Sequence, residues 1–292
     1  MRKAAAVLLM CLVVCGASSG TGVAPNGLVV LLTDYGADSI YVGAIKGAIY
    51  TKFPAARIDT LTNSVPPYDV IVGAHLLAEG CREFPPGTTF CCVVDPGVGT
   101  QRKQIVLETN NGQFFVAPDN GLLSLAAKRN GIASLHEATN KTLWREGVVS
   151  TTFQGRDVFG PVAAAVARGV PVSEVGPEIK DMVTLENEES RVEGGVLHGK
   201  VIRTDDYGNV VTNISAEDLE RIGLRPNDTA EVAIGKARFA APRKSTYSDV
   251  PKGERVLLVQ SSGLVEFAIN LGALANAIGE GVHAEVSVKK AP

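Results

Sequence analysis

Aromatic residues are scarce in this sequence, at 5% of the chain with a single tryptophan, and the lysines and arginines form neither a long run nor a patch interleaved with aromatics. A surface that neutralises a phosphate backbone needs such clustering, and the formal net charge of -3 points the other way, so nucleic acid is not an expected partner. The four histidines, His75, His136, His198 and His283, are too scattered to give metal-ligand spacing, so no metal is indicated. Among the cysteines, Cys11 and Cys15 lie in an N-terminal leader, and Cys81, Cys91 and Cys92 form an odd, clustered remainder that is no disulfide framework. Cys91 and Cys92 are neighbours in an apolar strand, point to opposite faces and read as small core residues. P-loop, GxGxxG and Ser-His-Asp elbow motifs are absent, as are solenoid repeats and low-complexity tracts.

The N-terminus begins MRKAAAVLLMCLVVCGASSG, with basic Arg2 and Lys3, an apolar run from Ala4 to Cys15, and small residues at the end. That is the order of a secretory signal peptide, and the run is shorter than the roughly 20 residues that span a bilayer. The expectation is a leader over residues 1–22, a mature chain beginning between Gly20 and Val23, export to the periplasm or medium, and no membrane association once the leader is gone.

A chain of 292 residues fits two domains better than one. From Leu28, apolar strands alternate with glycine-bearing turns and helical stretches: GLVVLLTDYG, VGAIKGAIYTKF, ARIDTLT, YDVIVGAHLLAEGCREF and PPGTTFCCVVD. This rhythm predicts a parallel-sheet α/β domain over 27–185, in which ligands bind beyond the carboxyl ends of the strands. A charged, glycine-ended stretch over 186–194 reads as a linker. Over 195–290, the β-rich segments flanking DDYGN, followed by AEVAI, RVLLVQ, LVEFAIN and HAEVSV, predict a small antiparallel β-barrel, with Ser215 placed to cap a short helix.

Several residues carry chemistry in this frame. Asp34, at the end of an apolar strand, either caps the following helix or accepts two hydrogen bonds from a vicinal diol. Tyr68, after two prolines, either staples a helix start or stacks on a sugar or base. In VVDPGVGTQRKQ, a turn accounts for Pro96, Gly97 and Gly99 but not for Arg102, whose guanidinium can fold back on Asp95 and position a small nucleophile. In TTFQGRDVFGPVAA, Arg156 and Asp157 read as a local ion pair at a helix start, and DDYGN suits a tight hairpin with Gly208 at positive φ.

Taken in order, LLTDYG, PPYD, VVDPGVGTQRK, APDNGLLS, TTFQGRDVFGPVAA, DDYGNVVTNI and SSGLVEFAIN cover nearly all of the chain after the leader. The set resembles the S-adenosylmethionine hydrolases, adenosine-forming enzymes also called hydroxide adenosyltransferases and related to the fluorinase and chlorinase. The resemblance implies a homotrimer with ligand sites between subunits, S-adenosyl-L-methionine as substrate and no further cofactor. It implies that Asp34 holds the ribose diol, Tyr68 lies beside the sugar, Asp205 binds the methionine ammonium and Asn209 the adenine edge. Ser261 and Ser262 would approach the methionine carboxylate, although Ser262 stands where the halogenases carry arginine, and Asn270 would lie against the adenine. In the hydrolases an Asp-Arg-His set activates water for attack at C5′ of the ribose. Asp95 and Arg102 match the first two members, and the direct run from VVDPGVG into QIVLETNNGQ favours the hydrolase branch. The third does not match: Gln154 stands in place of the histidine, and glutamine does not titrate. The expectation is therefore a hydrolase of reduced activity. The alternatives are a non-catalytic binder of adenosine or S-adenosylmethionine with the same fold, or a hydrolase of a related exported nucleoside.

Overall fold

The structure, a computed structural model, describes residues 21–186 and 189–292. Of the leader expected at 1–22, only Thr21 and Gly22 are among the described residues.

The first sheet contains β1 (Leu28–Thr33), β2 (Arg57–Thr62), β3 (Thr89–Val93), β4 (Gln104–Thr109), β5 (Phe114–Pro118) and β6 (Ile132–Glu137), in the order β2-β1-β3-β5-β4-β6. β1 runs parallel to β2 and β3, and β3 parallel to β5, whereas β4 is antiparallel to both β5 and β6. The sheet is thus mixed, with β4 reversed. The cause is the connection after β3: a parallel return needs a crossover of about a dozen residues or more, and the 94–103 loop contains no helix.

Helices α1 (Ile40–Lys52) and α4 (Gly160–Ala167) cover one face, burying Val42, Ile45, Ile49 and Val162 against Val29, Leu31 and Cys91. Helices α2 (Val70–Gly80) and α3 (Ser124–Asn130) cover the other, with Val72, Leu77 and Ala126 against Val30, Leu32 and Cys92. Cys91 and Cys92 are fully buried and divide between the two cores, as their adjacency in β3 requires.

The second sheet follows the order β11-β10-β14-β8-β9-β13-β12, with β7 added beside β8. Its strands are β7 (Arg191–Glu193), β8 (Val196–Thr204), β9 (Val210–Ser215), β10 (Thr229–Ile234), β11 (Ala237–Pro242), β12 (Arg255–Val259), β13 (Leu264–Ile269) and β14 (Glu285–Lys290). A backbone hydrogen bond of 3.0 Å from Lys244 N–H to the Leu257 carbonyl ties the end of β11 to β12 and nearly closes the barrel. Leu197, Val210, Phe267 and Val286 fill it. Residues 191–193 of the expected linker therefore belong to the barrel wall. Ser215 caps the short α5 (Ala216–Arg221) in a reciprocal capping box with Asp218, and α6 (Leu274–Ile278) follows β13.

The barrel rests on α2. Arg203 pairs with Glu79 at 2.9 Å, and Arg82 donates to the Ser262 carbonyl at 2.9 Å. No helix among the described residues is long and apolar enough to cross a membrane.

Candidate active site

The 94–103 loop leaves β3 at the carboxyl edge of the sheet, and the reversed β4 starts at that same edge. Arg102 is therefore carried back over Asp95. Its Nε lies 3.0 and 3.1 Å from the two carboxylate oxygens, and its Nη2 also bonds Oδ2. Both side chains are buried, at 5% exposure for Asp95 and 8% for Arg102, and the guanidinium sits 5.2 Å from the centre of the Phe159 ring. Asn120, from the APDNG segment, donates to the Val94 carbonyl at 2.9 Å and so braces the strand end that presents Asp95.

Gln154 joins this pair. Arg102 Nη2 donates to its Oε1 at 2.6 Å, and Gln104 Nε2 approaches the same oxygen at 3.4 Å. Two donors converging on one atom commit the amide oxygen, so Gln154 presents its amide N–H groups to the remaining space. Arg102 Nη1 is a second donor without a partner among the described residues.

Gln154 enters a π-helical turn, Gly155–Phe159, that continues into α4. A Cβ at Gly155 would stand 2.8 Å from the Tyr35 hydroxyl, so glycine is what lets this turn approach β1. The expected ion pair is present: Arg156 Nε reaches Asp157 Oδ1 at 2.6 Å, with Arg145 at 3.2 Å and the Ser150 N–H at 2.8 Å adding support. Burial opposes ionisation of Asp157, but Arg156, the Ser150 amide and Arg145 together outweigh it and hold its pKa at about 2.

Asp34 does not cap α1. That cap is Ser39, whose side chain accepts the Tyr41 N–H. Asp34 Oδ2 instead accepts the Tyr68 N–H at 2.9 Å, leaving Oδ1 without a protein partner among the described residues. Tyr68 adopts φ 68° and is 73% exposed, so it staples nothing; Asp69 caps α2. Tyr35 feels the charges of both Asp34 and Asp95. Its phenol is driven well above the usual tyrosine range, first by burial and then by Asp34, Cys91 and Asp95, despite the opposing Arg102.

The second group lies on the barrel. Asp205 Oδ1 accepts the N–H groups of Tyr207 and Asn209 at 3.0 and 2.9 Å, and its Oδ2 accepts Asn209 Nδ2 at 2.9 Å. Gly208 takes φ 81° in this turn, where a Cβ would stand 2.5 Å from that of Ala273. Asn209 and Asn270 line a cavity of about 550 Å³ together with Tyr207, Tyr247, Leu271 and Ala273. Asn270 is oriented by its 2.7 Å bond to the Val250 carbonyl. Tyr247 donates to the buried Glu266 at 2.7 Å; burial, then Glu266 and Asp205, push its hydroxyl up to about 12. Ser261 and Ser262 line a different cavity, of about 340 Å³, against Leu61, Thr62, Glu79 and Arg203.

The structure thus brings Asp95, Arg102 and Gln154 into one hydrogen-bonded set, joins Asp34 to Tyr68, and joins Asp205 to Asn209. Among the described residues no hydrogen bond or ion pair connects the Asp34 and Asp95 group to Asp205 or Asn209. Sequence reasoning passed over Gln104, Tyr35, Asn120 and Tyr247. Asn120 had a signal, its place in APDNG, whereas Gln104 enters only because β4 is reversed. No cluster of three or more His, Cys, Asp or Glu side chains suited to a metal occurs among the described residues.

Comparison with known proteins agrees on the family. Models described as the SAM hydroxide adenosyltransferase N-terminal and C-terminal domains match residues 29–176 and 199–287. A protein of Salinispora tropica named (R)-S-adenosyl-L-methionine hydrolase is 36% identical over 259 residues, covering 88% of this chain and 95% of its own. One of the same name from Salinispora arenicola is 36% identical over 247 residues, covering 84% and 90%. The crystal structure of an uncharacterized conserved protein from Thermotoga maritima superposes with a TM-score of 0.86 at 37% identity, covering 89% of this chain and 99% of that one.

Proposed function

Because the chain belongs to the SAM hydroxide adenosyltransferase family, we propose that it hydrolyses S-adenosyl-L-methionine to adenosine and L-methionine. The observation that carries this reading is the buried Asp95–Arg102–Gln154 set at the carboxyl edge of the sheet, beside Asp34. Water attacks C5′, the C5′–S bond breaks with its electron pair remaining on sulfur, and the sulfonium becomes a neutral thioether, so no general acid is needed for departure. The attacking water must lose a proton. Gln154 cannot take it, and Tyr35 stays protonated, which leaves Asp95 as the acceptor within this set. The N–H groups of Gln154 and Arg102 orient the water and stabilise developing hydroxide. A positioned histidine base typically contributes about 10²–10⁴ in rate, so glutamine at 154 implies slow turnover.

On this reading Asp34 Oδ1 takes the ribose diol, with Tyr68 beside the sugar. Asp205 takes the methionine ammonium, Asn209 and Asn270 the adenine, and Ser261 and Ser262 the carboxylate. The Asp34 half-site and the Asp205 half-site are completed across subunits in a homotrimer, a reading supported by the exposure of Tyr68, Tyr207 and Leu271. The leader reading adds export. Within the expected start between Gly20 and Val23, a mature chain that keeps Thr21 is supported by the bonds of its N–H and hydroxyl to the buried Glu108 carboxylate, at 2.8 and 2.7 Å.

The test is to incubate residues 21–292 with S-adenosyl-L-methionine in ¹⁸O-water and separate the products. Labelled adenosine together with methionine supports hydrolysis. Binding of adenosine with no turnover favours the non-catalytic binder, for which Gln154 is the observation. A second exported nucleoside outcompeting S-adenosylmethionine favours a changed substrate.

A further inference from the structure

We propose that His283, on the barrel, is a positioning residue for the nucleoside half-site on the α/β domain. It acts through Asp69 on Tyr68 and Asp34, and the inference rests on the ribose reading of Asp34 given above. Four non-glycine residues have positive φ among the described residues: Tyr68 at 68°, Asn227 at 72°, Leu271 at 54° and His283 at 68°. Side chains other than glycine adopt this region at a cost, and such residues persist where the surroundings hold them. Tyr68 and His283 lie far apart in sequence and in different domains, yet His283 bonds Asp69, the residue that follows Tyr68.

The chain of contacts is continuous. The His283 N–H donates to the Val201 carbonyl at 2.8 Å, and the Val201 N–H donates to the Ala284 carbonyl at 2.9 Å, which fixes the backbone that carries the imidazole against β8. Its Nε2 lies 2.6 Å from Asp69 Oδ2. The other oxygen of Asp69 accepts the Val72 N–H at 3.0 Å and caps α2. The residue before Asp69 is Tyr68, whose N–H bonds Asp34 Oδ2 at 2.9 Å. Moving Asp69 therefore moves the peptide that orients the Asp34 carboxylate. The opposite end of α2 has its own tie to the barrel, Arg203 with Glu79, so the domains have another anchor and the His283 contact is placed to set the Tyr68 loop.

The experiment compares affinity for adenosine with affinity for 2′-deoxyadenosine by calorimetry, since the ratio reports on the diol contact rather than on folding. His283→Asn tolerates the left-handed backbone but is too short to reach Asp69; Asp69→Ser keeps the helix cap and removes the clasp. Each should weaken adenosine binding by about tenfold, the scale of one hydrogen bond, and pull the ratio toward one. Glu79→Ala, which cuts the other tie, should leave the ratio at its native value. If Asp34→Ala abolishes the ratio while His283→Asn and Asp69→Ser keep it, the positioning role is overturned and the ribose reading stands. If Asp34→Ala leaves the ratio unchanged, both are overturned.

Discussion

Replacing Asp95 with asparagine tests the centre of the site, because the expected cost follows from its geometry. The carboxylate is 5% exposed and the guanidinium 8%, so water screens the pair little. Arg102 Nε and Nη2 both donate to the carboxylate. In asparagine one oxygen becomes an NH₂ group, so one of these donors meets another donor whichever way the amide turns. Each charge-assisted hydrogen bond is worth about 1.5–3 kcal/mol. Arg102 would also keep its charge without a counterion, next to an Nη1 that already has no partner. Breaking one side of a buried pair costs about 3–5 kcal/mol. At about 2–4 °C per kcal/mol for a chain of this size class, the melting temperature should fall by about 6–20 °C. Activity should fall as well, since Asp95 is the proton acceptor in the proposed reaction. Thermal unfolding of Asp95→Asn, Arg102→Met and the double variant Asp95→Leu/Arg102→Met is the assay. The double variant removes both charges and should recover most of the stability without recovering turnover. An Asp95→Asn protein that melts within a degree of the native one and retains its rate would refute the argument.

Gln154→His should raise adenosine release at neutral pH by at least about tenfold, because a neutral imidazole accepts a proton where the amide cannot. The variant should gain a titration that glutamine cannot show; the pH–rate profile reads both effects. Asp157, held at about 2 in the folded chain, contributes stability that is fully present above its unfolded pKa of about 3.9 and is lost as pH falls through about 2. Asp157→Asn should remove about 1–2 kcal/mol at neutral pH, after allowance for screening of the half-exposed Arg145, and flatten the stability curve between about pH 4 and 2 in acid unfolding. Light scattering should give the mass of a trimer; a monomer that binds adenosine at full affinity would remove the case for shared sites.

Much of the α/β domain was legible because strand, glycine turn and helix leave periodic marks, and Asp34 and Asp95 stand where strands end. What was not legible was pairing. The run from 94 to 103 is too short for a parallel crossover, but nothing in QIVLET says that β4 pairs with β5 and β6, so the order of the mixed sheet, and with it Gln104 beside Gln154, appeared only in the structure. Asp34 had two readings for a similar reason: whether it or Ser39 caps α1 depends on backbone angles a few residues later. Tyr247 stayed hidden because its partner Glu266 is supplied by strand register in the barrel, across β13.

The consequence for Gln154 could not be drawn from residue type either. Glutamine both donates and accepts, so the sequence allowed it to hold a water in either sense. With Arg102 and Gln104 both directed at its oxygen, only donors remain on Gln154, and the one Arg102 nitrogen without a partner among the described residues, the buried Nη1, is a donor too. Such a lining favours a nucleophile that is already an anion over one that must be deprotonated on arrival. In the proposed reaction it supplies orientation and charge stabilisation while leaving proton removal to Asp95, whose carboxylate is itself engaged by Arg102. A set arranged this way keeps donors for a water or an anion and carries no histidine base. That is why the same geometry supports slow hydrolysis as its first reading and bare nucleoside binding as its second.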